Sequence, residues 1–176
     1  MTQSKFRISL LILPLLLALP LAGIQAQPAA ASDVESIDSI ITAVYEAISG
    51  DAGEARNWDR FTSLFVADAT LSAVVPNAEG FERQITNPQT FAQASGPTLE
   101  RDGFHETEIH RVTEQYGQIA HAFSTYISKR SAQDAEPFDR GINSFQLMFD
   151  GSRWWVVSIY WQSETEQNPI PGRYGG

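Results

Sequence analysis

The sequence predicts an α+β domain with a strongly curved antiparallel sheet and about three helices, and three observations carry that prediction. First, two apolar runs, Phe138–Phe149 and Ser152–Gln162, rich in aromatic and β-branched residues, flank Asp150-Gly151, a dipeptide suited to a two-residue turn with positive φ. Second, helical periodicity is confined to the first part of the chain. Third, from Phe104 onward the pattern is almost entirely that of strands. Helices followed by a meandering sheet bury one sheet face beneath the helices, an arrangement that usually wraps a pocket.

The chain opens with what reads as a secretory signal over residues 1–26. Lys5 and Arg7 make a basic start, Ile8–Leu21 is a 14-residue apolar core, and Ile24-Gln25-Ala26 suits signal peptidase. The core is short for a bilayer span and is interrupted by Pro14 and Pro20. The expected mature protein therefore begins near Gln27, is periplasmic or secreted, and has no stable membrane insertion after cleavage. Residues 27–32 form a linker, residues 33–165 the domain, and residues 166–176 a tail extended by Pro169 and Pro171.

Within the domain, Ser32 and Glu35 suggest a capping box ahead of a helix whose Ile37, Ile40, Ile41, Val44, Tyr45 and Ile48 form one apolar stripe ending near Gly50. A second helix is expected from Asn57 as N-cap to about Val66, burying Trp58, Phe61, Leu64 and Phe65. Ala69–Val75 reads as a strand stopped by Pro76-Asn77. Asn87-Pro88 opens a short third helix through Phe91, before a loop at Gly96-Pro97. Phe104–Glu114 and Ile119–Lys129 then pair around Tyr116-Gly117.

Composition excludes several classes of function. With no cysteine there is no disulfide framework, thiol nucleophile or thiolate metal site. Removing Lys5 and Arg7 with the leader leaves 10 Lys and Arg against 21 Asp and Glu, a net charge of −11. That surface repels phosphate backbones and no basic cluster offsets it, so nucleic acid is not an expected partner. No GxSxG, P-loop, GxGxxG, EF-hand or HExxH pattern occurs, and neither a cofactor nor a metal is predicted.

Two N-terminal helices, the segment SLFVADATL at 63–71 and a closing strand RWWVVSIYWQ at 153–162 resemble the nuclear transport factor 2-like superfamily, in particular its SnoaL-like branch. The resemblance spans roughly residues 36–164. It implies a cone-shaped cystatin-like roll with helices closing one side of a bent sheet around a cavity. The superfamily holds isomerases, dehydratases, epoxide hydrolases, ligand binders and non-enzymatic assembly domains, so function must come from the site. In the ketosteroid isomerases of this fold, a catalytic Asp follows the equivalent of SLFVADATL. Here that place falls on Ser72, Ala73 and Val74, none of them ionisable.

Register arithmetic maps candidate residues onto faces. A two-residue turn at Asp150-Gly151 would set Leu147 opposite Trp154, Phe145 opposite Val156 and Asn143 opposite Ser158, placing Asn143, Ser158 and Tyr160 at the polar end of an apolar inner face. Asn143 and Ser158 could equally hydrogen-bond each other across the sheet. A turn at Tyr116-Gly117 would set Glu106, Glu108 and His110 on one face with His121. Glu106, Glu108 and His110 are the candidate catalytic residues, because a carboxyl beside an imidazole and a greasy wall can be tuned toward neutral pH. Tyr45, Trp58, His121, Asn143, Ser158 and Tyr160 are the candidate ligand-binding residues. The expected function is an exported small-molecule-binding domain with a partly apolar pocket, whose candidate residues are compatible with an acid/base enzyme of isomerase or dehydratase type; the sequence names no substrate and leaves catalysis open. The alternative is a non-catalytic binding or dimerisation module. Alternation puts Trp155, Val157, Ile159 and Trp161 on the outer face, through which a homodimer is expected.

Overall fold

The computed structural model describes residues 28–176, so the predicted signal segment lies outside the described residues. The remainder is α+β. Three helices, α1 (Ile37–Ile48), α2 (Trp58–Ser63) and α3 (Pro88–Asp102), accompany six strands: β1 (Phe65–Asn77), β2 (Gly80–Thr86), β3 (His105–Tyr116), β4 (Ile119–Lys129), β5 (Asp139–Phe149) and β6 (Trp154–Ser163). The strands form one open sheet in the order β2-β1-β6-β5-β4-β3. It is mixed rather than antiparallel throughout, because β1 and β6 run parallel. No helix among the described residues is long and apolar enough to cross a membrane.

Helix α1 follows its apolar stripe: Ile40, Ile41, Val44, Tyr45 and Ile48 are all buried against the concave face of the sheet. Its cap is Ser36 rather than Ser32; Ser36 and Ser39 exchange side-chain to backbone bonds, while residues 31–33 make a short 3-10 turn. The chain leaves α1 through Gly50, which exchanges backbone hydrogen bonds with Phe104 at 2.8 and 3.0 Å. Arg56 fixes this junction. Buried, it donates to the carbonyls of Ile48 at 3.1 Å, Gly50 at 2.5 Å, Glu54 at 2.5 Å and Leu99 at 3.2 Å.

Four elements differ from the sequence reading: α2, β1, which also runs on through Pro76-Asn77, α3, and β2, which the sequence did not mark as a strand. Helix α2 is capped by Asn57 as expected but stops at Ser63, and β1 starts at Phe65 instead of Ala69. Helix α3 runs through Gly96-Pro97, where a loop was expected. A Cβ on Gly96 would meet the Trp58 ring at 2.9 Å, so the glycine is there for close packing of α2 on α3 rather than for a turn.

The hairpins differ in register. The β5–β6 connection is a four-residue loop in which Phe149 faces Trp154, because the Asp150 carboxylate accepts from the backbone N–H of Ser152 and Arg153 and from Trp155 Nε1. A bulge at Val157 then changes parity, so that Phe145 faces Ile159 and Asn143 faces Trp161. The β3–β4 turn is Gly117-Gln118, with Gly117 at φ +56°, and a second bulge at Ile109 separates Glu108, opposite Tyr126, from His110, opposite Thr125.

The tail is packed down. Ile170 is buried, Thr125 Oγ1 donates to the Tyr174 carbonyl at 2.6 Å, and Tyr174 lies 5.1 Å from the Phe123 ring on the convex face.

Candidate functional site

Where α1, α2 and α3 close over the concave face, they leave a cavity of about 260 Å³. Val44 and Ile48 reach it from α1, Phe61 from α2, Phe91 and Leu99 from α3, and Phe145, Ile159 and Trp161 from the sheet. Its polar wall is built by neighbouring positions on β3, β4 and β5: Glu106 pairs with Ser128, and Ser128 with Asp139. Asn143 and Tyr126 complete that wall.

Glu106 is the centre of the arrangement. Ser128 Oγ donates to its Oε2 at 3.0 Å and Asn143 Nδ2 to its Oε1 at 3.1 Å. Burial, which penalises the charged form, pushes its carboxyl up to about 7 against these two bonds, with the nearby Asp139 charge adding to the rise. A group at that value both takes and gives a proton at neutral pH. Beside it, Tyr126 OH donates to Asp139 Oδ2 at 3.2 Å, and Ser163 Oγ donates to the same oxygen at 3.0 Å. Tyr126 fits because residue 141 is glycine: a Cβ there would lie 2.5 Å from the phenol oxygen.

The polar wall continues under α1. Asn143 Nδ2 also donates to Tyr45 OH at 3.2 Å, Tyr45 OH bonds Ser124 Oγ at 2.7 Å, and Ser124 bonds Glu108. Arg111 Nε lies 3.4 Å from Glu108 and its Nη2 donates to Asp38 at 2.5 Å, so Glu108 is paired at the edge of the sheet. Burial pushes the phenols of Tyr45 and Tyr126 well above their ordinary range, so both stay neutral and donate.

The structure therefore brings Glu106 and Asn143 together in the cavity and sends the other candidates elsewhere. Glu108 shares the concave face but belongs to the Ser124–Arg111 network. The bulge at Ile109 turns His110 to the convex face, where its Nε2 lies 3.1 Å from the Arg173 carbonyl, so no His110–Glu108 dyad forms. His121 is also convex, 3.8 Å from Glu114. The Val157 bulge likewise puts Ser158 and Tyr160 on the convex face, and the reverse shift brings Ile159 and Trp161 inward. Tyr45 is sealed beneath α1, and Trp58 packs on α3 while Nε1 donates to Glu100 at 2.8 Å; neither lines the cavity. Tyr126, Ser128 and Asp139 were missed. The signal for Tyr126 and Ser128 is the small and polar series Ala122, Ser124, Tyr126, Ser128 on one face of β4, the face opposite the one that a turn at Tyr116-Gly117 would give to His121.

No protein-family model matches this chain, and no curated protein matches it in sequence. Solved structures match in fold. A Nostoc punctiforme protein with a cystatin-like fold superposes with a TM-score of 0.56 over 74% of this chain and 90% of its own, at 10% identity. A proposed dehydratase of the NTF2-like family from Streptomyces avermitilis gives 0.54 over 76% and 96%, at 16% identity. The association domain of CaMKII from C. elegans gives 0.52 over 71% and 91%, at 15% identity. At these identities the likeness is one of fold: the chain has the cystatin-like architecture of the NTF2-like proteins.

Proposed function

We propose that this NTF2-like domain binds a small, largely apolar molecule in the cavity beneath α1 to α3 and exchanges a proton with it through Glu106, as an acid/base enzyme of isomerase or dehydratase type. One observation carries the reading: a carboxyl poised at about 7 by burial, held in place by Ser128 and Asn143, on the polar wall of a cavity whose other walls are apolar. The two bonds to Glu106 fix its orientation and leave lone pairs for a proton on the ligand. The dehydratase proposed for the Streptomyces relative is consistent with this chemistry. Native mass spectrometry of the purified protein tests it by looking for a co-purified small molecule. Incubated in D₂O with that compound, wild type should exchange an acidic C–H and Glu106→Gln should not. Tight binding with no exchange in either protein would overturn the enzyme and leave a binding module.

The proposal extends to setting. The basic start, short apolar core and small-residue end of residues 1–26 support export to the periplasm or beyond, and the sequence segments quoted above support the SnoaL-like branch. N-terminal sequencing of exported protein should start near Gln27. Self-association is supported by the exposed apolar residues of the convex face and by the fold's use as an association domain in the CaMKII relative.

A further inference from the structure

Resting on the cavity reading above, we infer that the ligand is an apolar amine, bound as its ammonium ion between the carboxylates of Glu106 and Asp139 and the aromatic walls of the cavity. The lining contains two carboxylates and no Lys, Arg or His. Neither Glu106 nor Asp139 has an ion-pair partner among the described residues; Arg140, next in sequence to Asp139, is held instead by Glu164 at 3.4 Å and the Gly175 carbonyl at 2.5 Å. A carboxylate facing a low-dielectric cavity without a cation is costly, and the cost is relieved by a proton or by a positive ligand.

The hydrogen-bonding inventory points the same way. The donors on the polar wall are already spent inside the protein: Ser128 and Asn143 on Glu106, Asn143 again on Tyr45, and Tyr126 on Asp139. Acceptors remain. Both bonds to Asp139 fall on Oδ2, so Oδ1 takes none among the described residues, and each Glu106 oxygen takes only one. A ligand that fits must donate, and an ammonium donates three times while carrying the missing charge. Phe61, Phe91, Phe104, Phe145 and Trp161 line the same space, where aromatic faces attract a desolvated cation. An anionic ligand would meet two like charges, with only the Ser95 hydroxyl and the Trp161 indole N–H left to donate to it. The acidic surface of the whole domain adds long-range attraction for a cation.

Three molecules of one shape separate the possibilities: benzylamine, benzyl alcohol and benzoate, titrated into the purified protein and followed by NMR, with the Trp161 indole N–H reporting occupancy of the cavity. Benzylamine should bind about tenfold more tightly than benzyl alcohol, the usual margin of a charge-assisted over a neutral hydrogen bond. Benzoate should leave the Trp161 signal unmoved. Glu106→Gln and Asp139→Asn should each reduce the preference for the amine, and the wild-type comparison stands even where a variant folds poorly. Equal or stronger binding of the alcohol, or shifts by benzylamine confined to residues outside the cavity, would overturn the amine and leave the cavity reading intact. Failure of all three to move Trp161 would overturn both.

Discussion

At the scale of single residues, Glu106 ties stability to pH. Its carboxyl titrates near 4.5 when unfolded and is raised to about 7 when folded, so between those values the native state holds more protons than the unfolded chain. Its contribution is complete below about 4.5 and is lost as pH rises through about 7, a loss of at most about 3 kcal/mol. Glu106→Gln has no such slope. Urea midpoints measured from pH 4 to 9 should therefore converge at low pH and separate in favour of the variant above neutrality; parallel curves would refute the raised carboxyl. Glu106 was legible as a candidate because carboxyls and histidines cluster between residues 105 and 110. Asn143 was legible too, from the polar end of its strand, but Ser128 was not, and that the two converge on Glu106 from later strands depends on register.

At the scale of elements, Arg56 is the fastener between α1 and α3. One guanidinium bonds carbonyls at the end of α1, in the following turn and near the end of α3; of these, that of Gly50 also accepts from Phe104 N–H. Arg56→Met should cost roughly 3 kcal/mol or more in chemical denaturation, since charged hydrogen bonds are worth about 1.5–3 kcal/mol each and several are lost at once. A loss below 1 kcal/mol, about the scale of one neutral hydrogen bond, would show that water replaces it. Nothing in the sequence marks Arg56. Helix α1 was legible from its stripe, whereas the hairpins were legible only as hairpins. Composition shows where strands run, but a single extra residue at Ile109 or Val157 reverses every later side chain, and bulges leave no reliable compositional trace.

For the whole molecule, the self-association proposed above would use the convex face. The bulge takes Ile159 and Trp161 out of the expected dimer surface, but Val157 and Tyr160 remain exposed there, and Ile85 of the edge hairpin lies level with Tyr160 across Ser72. Tail residues from Ile170 to Tyr174 cover the other half of the face, over Phe123 and Thr125. Two copies should therefore meet through the β1–β2–β6 half, and Val157→Arg should convert dimer to monomer in sedimentation equilibrium at micromolar concentration. Wild type already monomeric under those conditions would end the idea. Architecture was legible at this scale because helices-then-strands with an aromatic final hairpin admits few alternatives. The parallel contact of β1 with β6 escaped notice because it has no local signature.

That parallel contact has a consequence in time. Phe65 pairs with Val156 and Ala73 with Trp161, partners about 90 residues apart, and the cavity floor on the β6 side consists of Ile159 and Trp161. The helices can form early, but they have nothing to close over until the sixth strand has joined. Refolding should accordingly sit at the slow end for a domain of this size, on the order of milliseconds to seconds, limited by one long-range closure. On the ribosome, the binding chamber comes into being only after its last strand has emerged.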